Sequence, residues 1–182
     1  MSRRLLRASA AKARPMTCPN CGAAMRLKSD VDSFVCDFCS AVHVPDTNSD
    51  GVRVLGEKSG ATCPICRATS PHAGLVHASV GGRRIQYCET CRGMLVPMGY
   101  FVELTQELRA AGAATIASTR PADERDLDRR IDCPQCGERM DTHRYGGPGN
   151  VIIDSCERCQ MNWLDFGELG RIAHAPDPAP SL

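Results

Sequence analysis

The sequence predicts a series of small, metal-stabilised domains on short antiparallel β-hairpins, not one large core. Three observations predict it. Leu, Ile, Val and Phe together make up only 34 of 182 residues, below the level usual for a self-sufficient core. The chain carries 12 cysteines, and domains short of apolar surface are commonly held by disulfides or metals. Every one of those cysteines sits in a C-x-x-C pair.

Compartment decides between disulfide and metal, because disulfides persist where the surroundings are oxidising. The opening MSRRLLRASAAKARP has arginines but no apolar run long enough for a secretory signal. No stretch approaches the roughly 20 apolar residues of a membrane-spanning helix. The expectation is therefore a cytoplasmic chain whose thiols stay reduced and bind metal. Net charge is +1, so self-repulsion does not set the fold.

The pairs are Cys18/Cys21, Cys36/Cys39, Cys63/Cys66, Cys88/Cys91, Cys133/Cys136 and Cys156/Cys159. They group two by two, with 14, 21 and 19 residues between the inner cysteines, while gaps of 23 and 41 residues separate the groups. This is the four-cysteine zinc pattern, at or just outside its usual range each time. Two intervening residues allow a tight turn that aims both sulfurs at one point, about 2.3 Å from a tetrahedral zinc. Two such turns joined by a hairpin complete the shell, which makes each group a zinc ribbon and implies three zinc ions per chain. Pro19, Pro64 and Pro134 pre-set the turns. Gly22 and Gly137 follow the second cysteine, where a left-handed conformation is easy for glycine. Arg67 stands there in the middle group, so its first turn is expected to be less regular. A thioredoxin-like redox motif would need a βαβ pattern, which the sequence lacks.

The second and third groups align at a constant offset of 68: Cys91 to Phe101 lies over Cys159 to Leu169. Each loop holds glycines (Gly81-Gly82; Gly146-Gly147 and Gly149) and then a β-rich run, Arg84 to Tyr87 or Val151 to Asp154. Phe101, Leu104 and Leu108 fall on one face of a helix expected from about Met98 to Ala111. Phe166, Leu169 and Ile172 begin a shorter copy with Asp165 as its N-cap. Leu95 and Trp163 occupy equivalent places and are expected to pack each ribbon's helix on its hairpin.

The divisions that follow are a basic tail over 1–16, ribbon one over 17–45 and a linker over 46–61. Ribbon two with its helix covers 62–112, a charged linker 113–131, and ribbon three with its helix 132–174. A disordered end covers 175–182. Because the second linker is long and polar, the third ribbon is expected to hold its metal independently.

The run Cys133-Pro-Gln-Cys136-Gly137-Glu-Arg-Met140, then Asp154-Ser-Cys156-Glu-Arg-Cys159 and Trp163-Leu164-Asp165-Phe-Gly167-Glu168-Leu169, resembles the transcription factor IIB-type zinc ribbon. The resemblance covers 132–172 closely and 62–108 in part, while 17–44 resembles a generic zinc ribbon. It implies zinc ligation by the cysteines and packing roles for Trp163, Leu164 and Leu169. The family usually has Gly-Gly after its second C-x-x-C, whereas this chain has Gln160-Met161, Arg92-Gly93 and Ser40-Ala41.

His43, His72, His77, His143 and His174 are the remaining candidate ligands. With four thiolates per site they are expected to stand outside the metal shell, since a structural zinc closes at four ligands. No nucleophile–base pair or phosphate loop is present, so the expectation is a non-catalytic module that presents loops to a protein or nucleic-acid partner. A redox- or metal-responsive zinc switch is the alternative, because oxidised thiolates release zinc. The tail carries Arg3, Arg4, Arg7, Lys12 and Arg14 and no acid. It reads as a disordered leader, a nucleic-acid arm or a transit peptide.

Overall fold

A computed structural model describes residues 16–28, 30–111, 121–147 and 149–175. The basic tail before Met16, most of the second linker's first half, and the C-terminal end therefore lie outside the described residues. The chain divides into two compact units, Met1–His43 and Val44–Leu182.

The first unit is a three-stranded antiparallel sheet of β1 (Met25–Lys28), β2 (Ser33–Cys36) and β3 (Val42–His43), in that order. Phe34 and Met25 are buried between the strands, and Arg26 pairs with Asp37 at the surface. Among the described residues of this unit, only Cys18 and Cys36 are otherwise apolar and buried.

The second unit is one seven-stranded sheet. Its strands are β4 (Val52–Thr62), β5 (Gly74–Val80), β6 (Arg83–Tyr87), β7 (Met94–Pro97), β8 (Asp141–Arg144), β9 (Ile152–Cys156) and β10 (Met161–Leu164), in the order β4-β5-β6-β7-β10-β9-β8. The segments on either side of the charged linker thus share a single sheet. β7 and β10 join them antiparallel, with Leu95 opposite Trp163, Met94 opposite Leu164 and Val96 opposite Asn162.

β4 is a difference from the sequence reading, which makes 46–61 a linker. Only Val52 and Leu55 of β4 are buried, and Gly56 and Gly60 adopt positive φ of 70° and 84°. The register with β5 shifts between Val54 and Lys58 and again between Lys58 and Thr62. Bulges of this kind break the two-residue alternation by which a strand is recognised.

The sheet buries both faces. On one, Val76, Ala78, Val80, Ile85, Met94, Val96 and Leu164 meet α1 (Met98–Ala111) and α2 (Glu168–His174), through Phe101, Leu104, Leu169 and Ile172. The two helices pack together, and Arg109 of α1 donates to the carbonyls of Ile172 and Ala175 at 2.8 Å each. Those carbonyls end α2, where a cation is favourable.

Several residues depart from expectation at this helix. Gly167, with φ 83°, is the N-cap of α2. Asp165 instead spends its carboxylate on Trp163 and Arg129. Phe166 is exposed, under the Arg92 guanidinium at 4.1 Å from its ring centroid. Leu95 and Trp163 also point away from the helices, to the other face, where they pack with cysteines. Strand alternation forces this, because their neighbours Met94, Val96 and Leu164 already fill the helical side.

Candidate metal centres

Most of the cysteine pairs are made by the same local device. The amide after the second cysteine donates to the carbonyl of the first: Gly22 to Cys18, Ser40 to Cys36, Arg92 to Cys88 and Gly137 to Cys133, at 2.8–2.9 Å. The donor residue is left-handed in each case, with φ of 75°, 59°, 62° and 75°. The departures from glycine at Ser40 and Arg92 therefore change the residue and keep the conformation, at the cost of Cβ crowding. Gln160 is also left-handed, at 54°, although its amide turns to the Glu157 carbonyl. Arg67 also donates its amide to the Cys63 carbonyl, at 3.1 Å, and differs only in conformation, as its sequence position predicts. A 3-10 turn, Cys66–Ala68, follows this pair, and Arg67 is not among the left-handed residues.

The hairpins bring the pairs together in three groups: Cys18, Cys21, Cys36, Cys39; Cys63, Cys66, Cys88, Cys91; and Cys133, Cys136, Cys156, Cys159. Within each, the sulfurs lie within 4.8 Å of one another. The closer Sγ–Sγ separations are 3.6 and 3.4 Å in the first group, 3.6 and 3.9 Å in the second, and 3.7 Å for Cys136–Cys156 in the third. A metal–sulfur bond of about 2.3 Å in tetrahedral geometry sets a sulfur–sulfur edge of about 3.8 Å. The donor sets therefore fit such an ion, and each four-cysteine group could hold one. All twelve thiols are free of disulfides.

The protons in these groups make the same point. The Ala41 amide brings Cys39 down to about 6, and the Glu138 amide lowers Cys136. Their neighbours move the other way: burial pushes Cys66 up to about 11, and the hydrogen bond with Cys136 pushes Cys159 up to about 12. Four crowded thiols do not all ionise by themselves; a cation among them is what permits it.

Among the described residues no histidine joins any group. His174 bonds the Gly170 carbonyl at 2.8 Å, and His143 lies beside Asp141.

Several contacts that shape the second and third groups are not indicated by the sequence. Arg129, from the charged linker, pairs with the fully buried Asp154 and with Asp165, and the hydroxyl of Thr142 donates to Asp154. Trp163 Nε1 donates to Asp165 at 3.0 Å. Arg67 pairs with Asp132, joining the residue after Cys66 to the residue before Cys133. Gly93 lies flat against the indole, where any Cβ would overlap the Trp163 ring. The offset of 68 pairs Gly93 with Met161 and Leu95 with Trp163, so small faces large at related places. That swap is the one available signal.

Comparison with family models, with curated proteins and with solved structures finds no match to this chain. No helix among the described residues is long and apolar enough to cross a membrane.

Proposed function

We propose that the chain binds three zinc ions, one in each four-cysteine group, as three zinc ribbons, the second and third each completed by a short helix. The ions make it a rigid, non-catalytic scaffold that presents its loops to a protein partner in the reducing cytoplasm. The observation that carries this reading is the geometry of the three groups, with sulfurs mutually within 4.8 Å. Four thiolates close a zinc shell and leave no position for a reacting water, which favours structure over catalysis. The likeness of 132–172 to the transcription factor IIB-type ribbon belongs to the same proposal. So does a nucleic-acid arm at Arg3, Arg4, Arg7, Lys12 and Arg14, which lie outside the described residues.

Elemental analysis of chain purified without chelator should give three zinc ions per molecule. Two would remove one ribbon, and iron would change the metal. Partner binding should disappear on chelation and return with zinc; binding indifferent to zinc contradicts the scaffold. A redox-responsive second reading is favoured by one observation, the exposure of Cys21 and partial exposure of Cys39. It requires low peroxide to release zinc from the first group before the others.

A further inference from the structure

The second and third cysteine groups lie in one apolar cluster, and we infer that they take up and release metal as a cooperative pair coupled through Trp163. The inference rests on the metal-binding reading above and adds a thermodynamic link between two of its sites.

The β7–β10 pairing supplies the first argument. Leu95 and Trp163 are the same position in the two repeats, and they face each other directly. Met94–Leu164 and Val96–Asn162 are then one pair seen from the two sides, since 94 and 162, and 96 and 164, are also equivalent. The repeats meet as the halves of a two-fold dimer meet, the same patch against itself, within one chain.

The second argument is what lies at that axis. Trp163 is fully buried, in a cluster that holds Cys63, Cys66 and Cys88 of the second group and Cys133 and Cys156 of the third. Its indole lies on Gly93, two residues after Cys91, and the Gly93 carbonyl accepts the Cys88 amide at 2.9 Å. Trp163 therefore sits on the turn that closes the second group, although its own strand follows Cys159 of the third. Its Nε1 is held by Asp165, which shares Arg129 with Asp154, two residues before Cys156. Arg67–Asp132 ties the first turns of both groups as well.

Neither group's turns can loosen without freeing the indole, and a free indole loosens the other's. The first metal orders Trp163, so the second binds to a site whose ordering cost has already been met. Linkage requires the reverse on release: loss of one metal weakens the other by the same factor.

The test uses the full chain with Cys21→Ser, which disables the first group and leaves two sites. Zinc is withdrawn by graded chelator and the species are counted by native mass spectrometry, with Trp163 emission followed in parallel. Two-metal and metal-free chains should dominate, with the one-metal species well below its binomial share, as a coupling of roughly tenfold demands. Emission should shift to the red in one transition, together with metal loss. Trp163→Leu should raise the one-metal species to the binomial share, and the milder Arg67→Gln should move it the same way. A one-metal species at or above the binomial share in the Cys21→Ser chain overturns the coupling while leaving the metal sites standing. A Cys21→Ser chain that binds no zinc overturns the metal-binding reading itself.

Discussion

The two compact units hold the same kind of four-cysteine group on very different supports. In the first, the buried apolar side chains among the described residues are Cys18, Met25, Phe34 and Cys36, and two of these are members of the group itself. In the second, two groups share one face of a seven-stranded sheet whose other face packs Phe101, Leu104, Leu169 and Ile172 against the strands. A like arrangement of sulfurs is therefore nearly the whole interior in one place and an addition to an interior in the other. On the proposed metal-binding reading, metal dependence of folding follows from the support rather than from the ligands: where little apolar area is buried, ligation must offset the entropy of ordering the chain.

Substitutions can break or sharpen that contrast. The largest effect is expected at Arg129. Arg129→Ala leaves the Asp154 carboxylate buried without its cation, which should cost the second unit about 3–5 kcal/mol. Denaturant unfolding followed by amide exchange should show no change in the first unit; a loss spread over both units would contradict separate supports. Gly93→Ala should cost about 1–3 kcal/mol by forcing the indole off its seat, read as a lower Tm and a red shift of Trp163 emission.

A pH effect is expected at Glu168. Burial raises its carboxyl from 4.5 to about 8, while the Asp165 amide donates to it at 2.8 Å. A raised folded-state value means that the native state holds the proton more tightly. The stability contributed is complete below about 4.5 and falls away as pH rises through about 8. Glu168→Gln should flatten that decline in the urea midpoint of the second unit. A decline of unchanged slope would mean that this carboxyl is not its source.

The smallest effects are at the left-handed turns. Ser40→Gly in the first unit and Gln160→Gly in the second relieve φ of 59° and 54°. Each should gain about 0.5–1 kcal/mol, net of glycine's greater unfolded-state entropy, read as a small rise in the urea midpoint of its unit.

How far the molecule is legible in its sequence divides along the same line. The cysteine groups follow from spacing, since a C-x-x-C turn is a local device that needs nothing distant. The helix over 98–111 follows from Phe101, Leu104 and Leu108 for the same reason. The joining of β7 to β10 does not follow from the repeats alone, although its signal is present. Met94, Leu95 and Val96 are three successive apolar residues, and a strand buried on both faces reads as such a run. The sequence reading gives Leu95 and Trp163 to helix packing because a lone hairpin has only one partner to offer them. The Asp154–Arg129 pairing is invisible for a different reason: an ion pair 25 residues apart has no periodicity.

Hydrogen exchange on the chain before and after exhaustive chelation of the proposed zinc tests the account most directly. Amide protection should vanish between residues 17 and 43 and around all the cysteine turns. It should persist, at reduced level, in β4, β5, β6 and α1, where the helical face of the sheet supplies its own core. Protection that survives over 17–43 would contradict metal as the interior of the first unit, and protection lost equally from every strand would contradict the second unit's independent support.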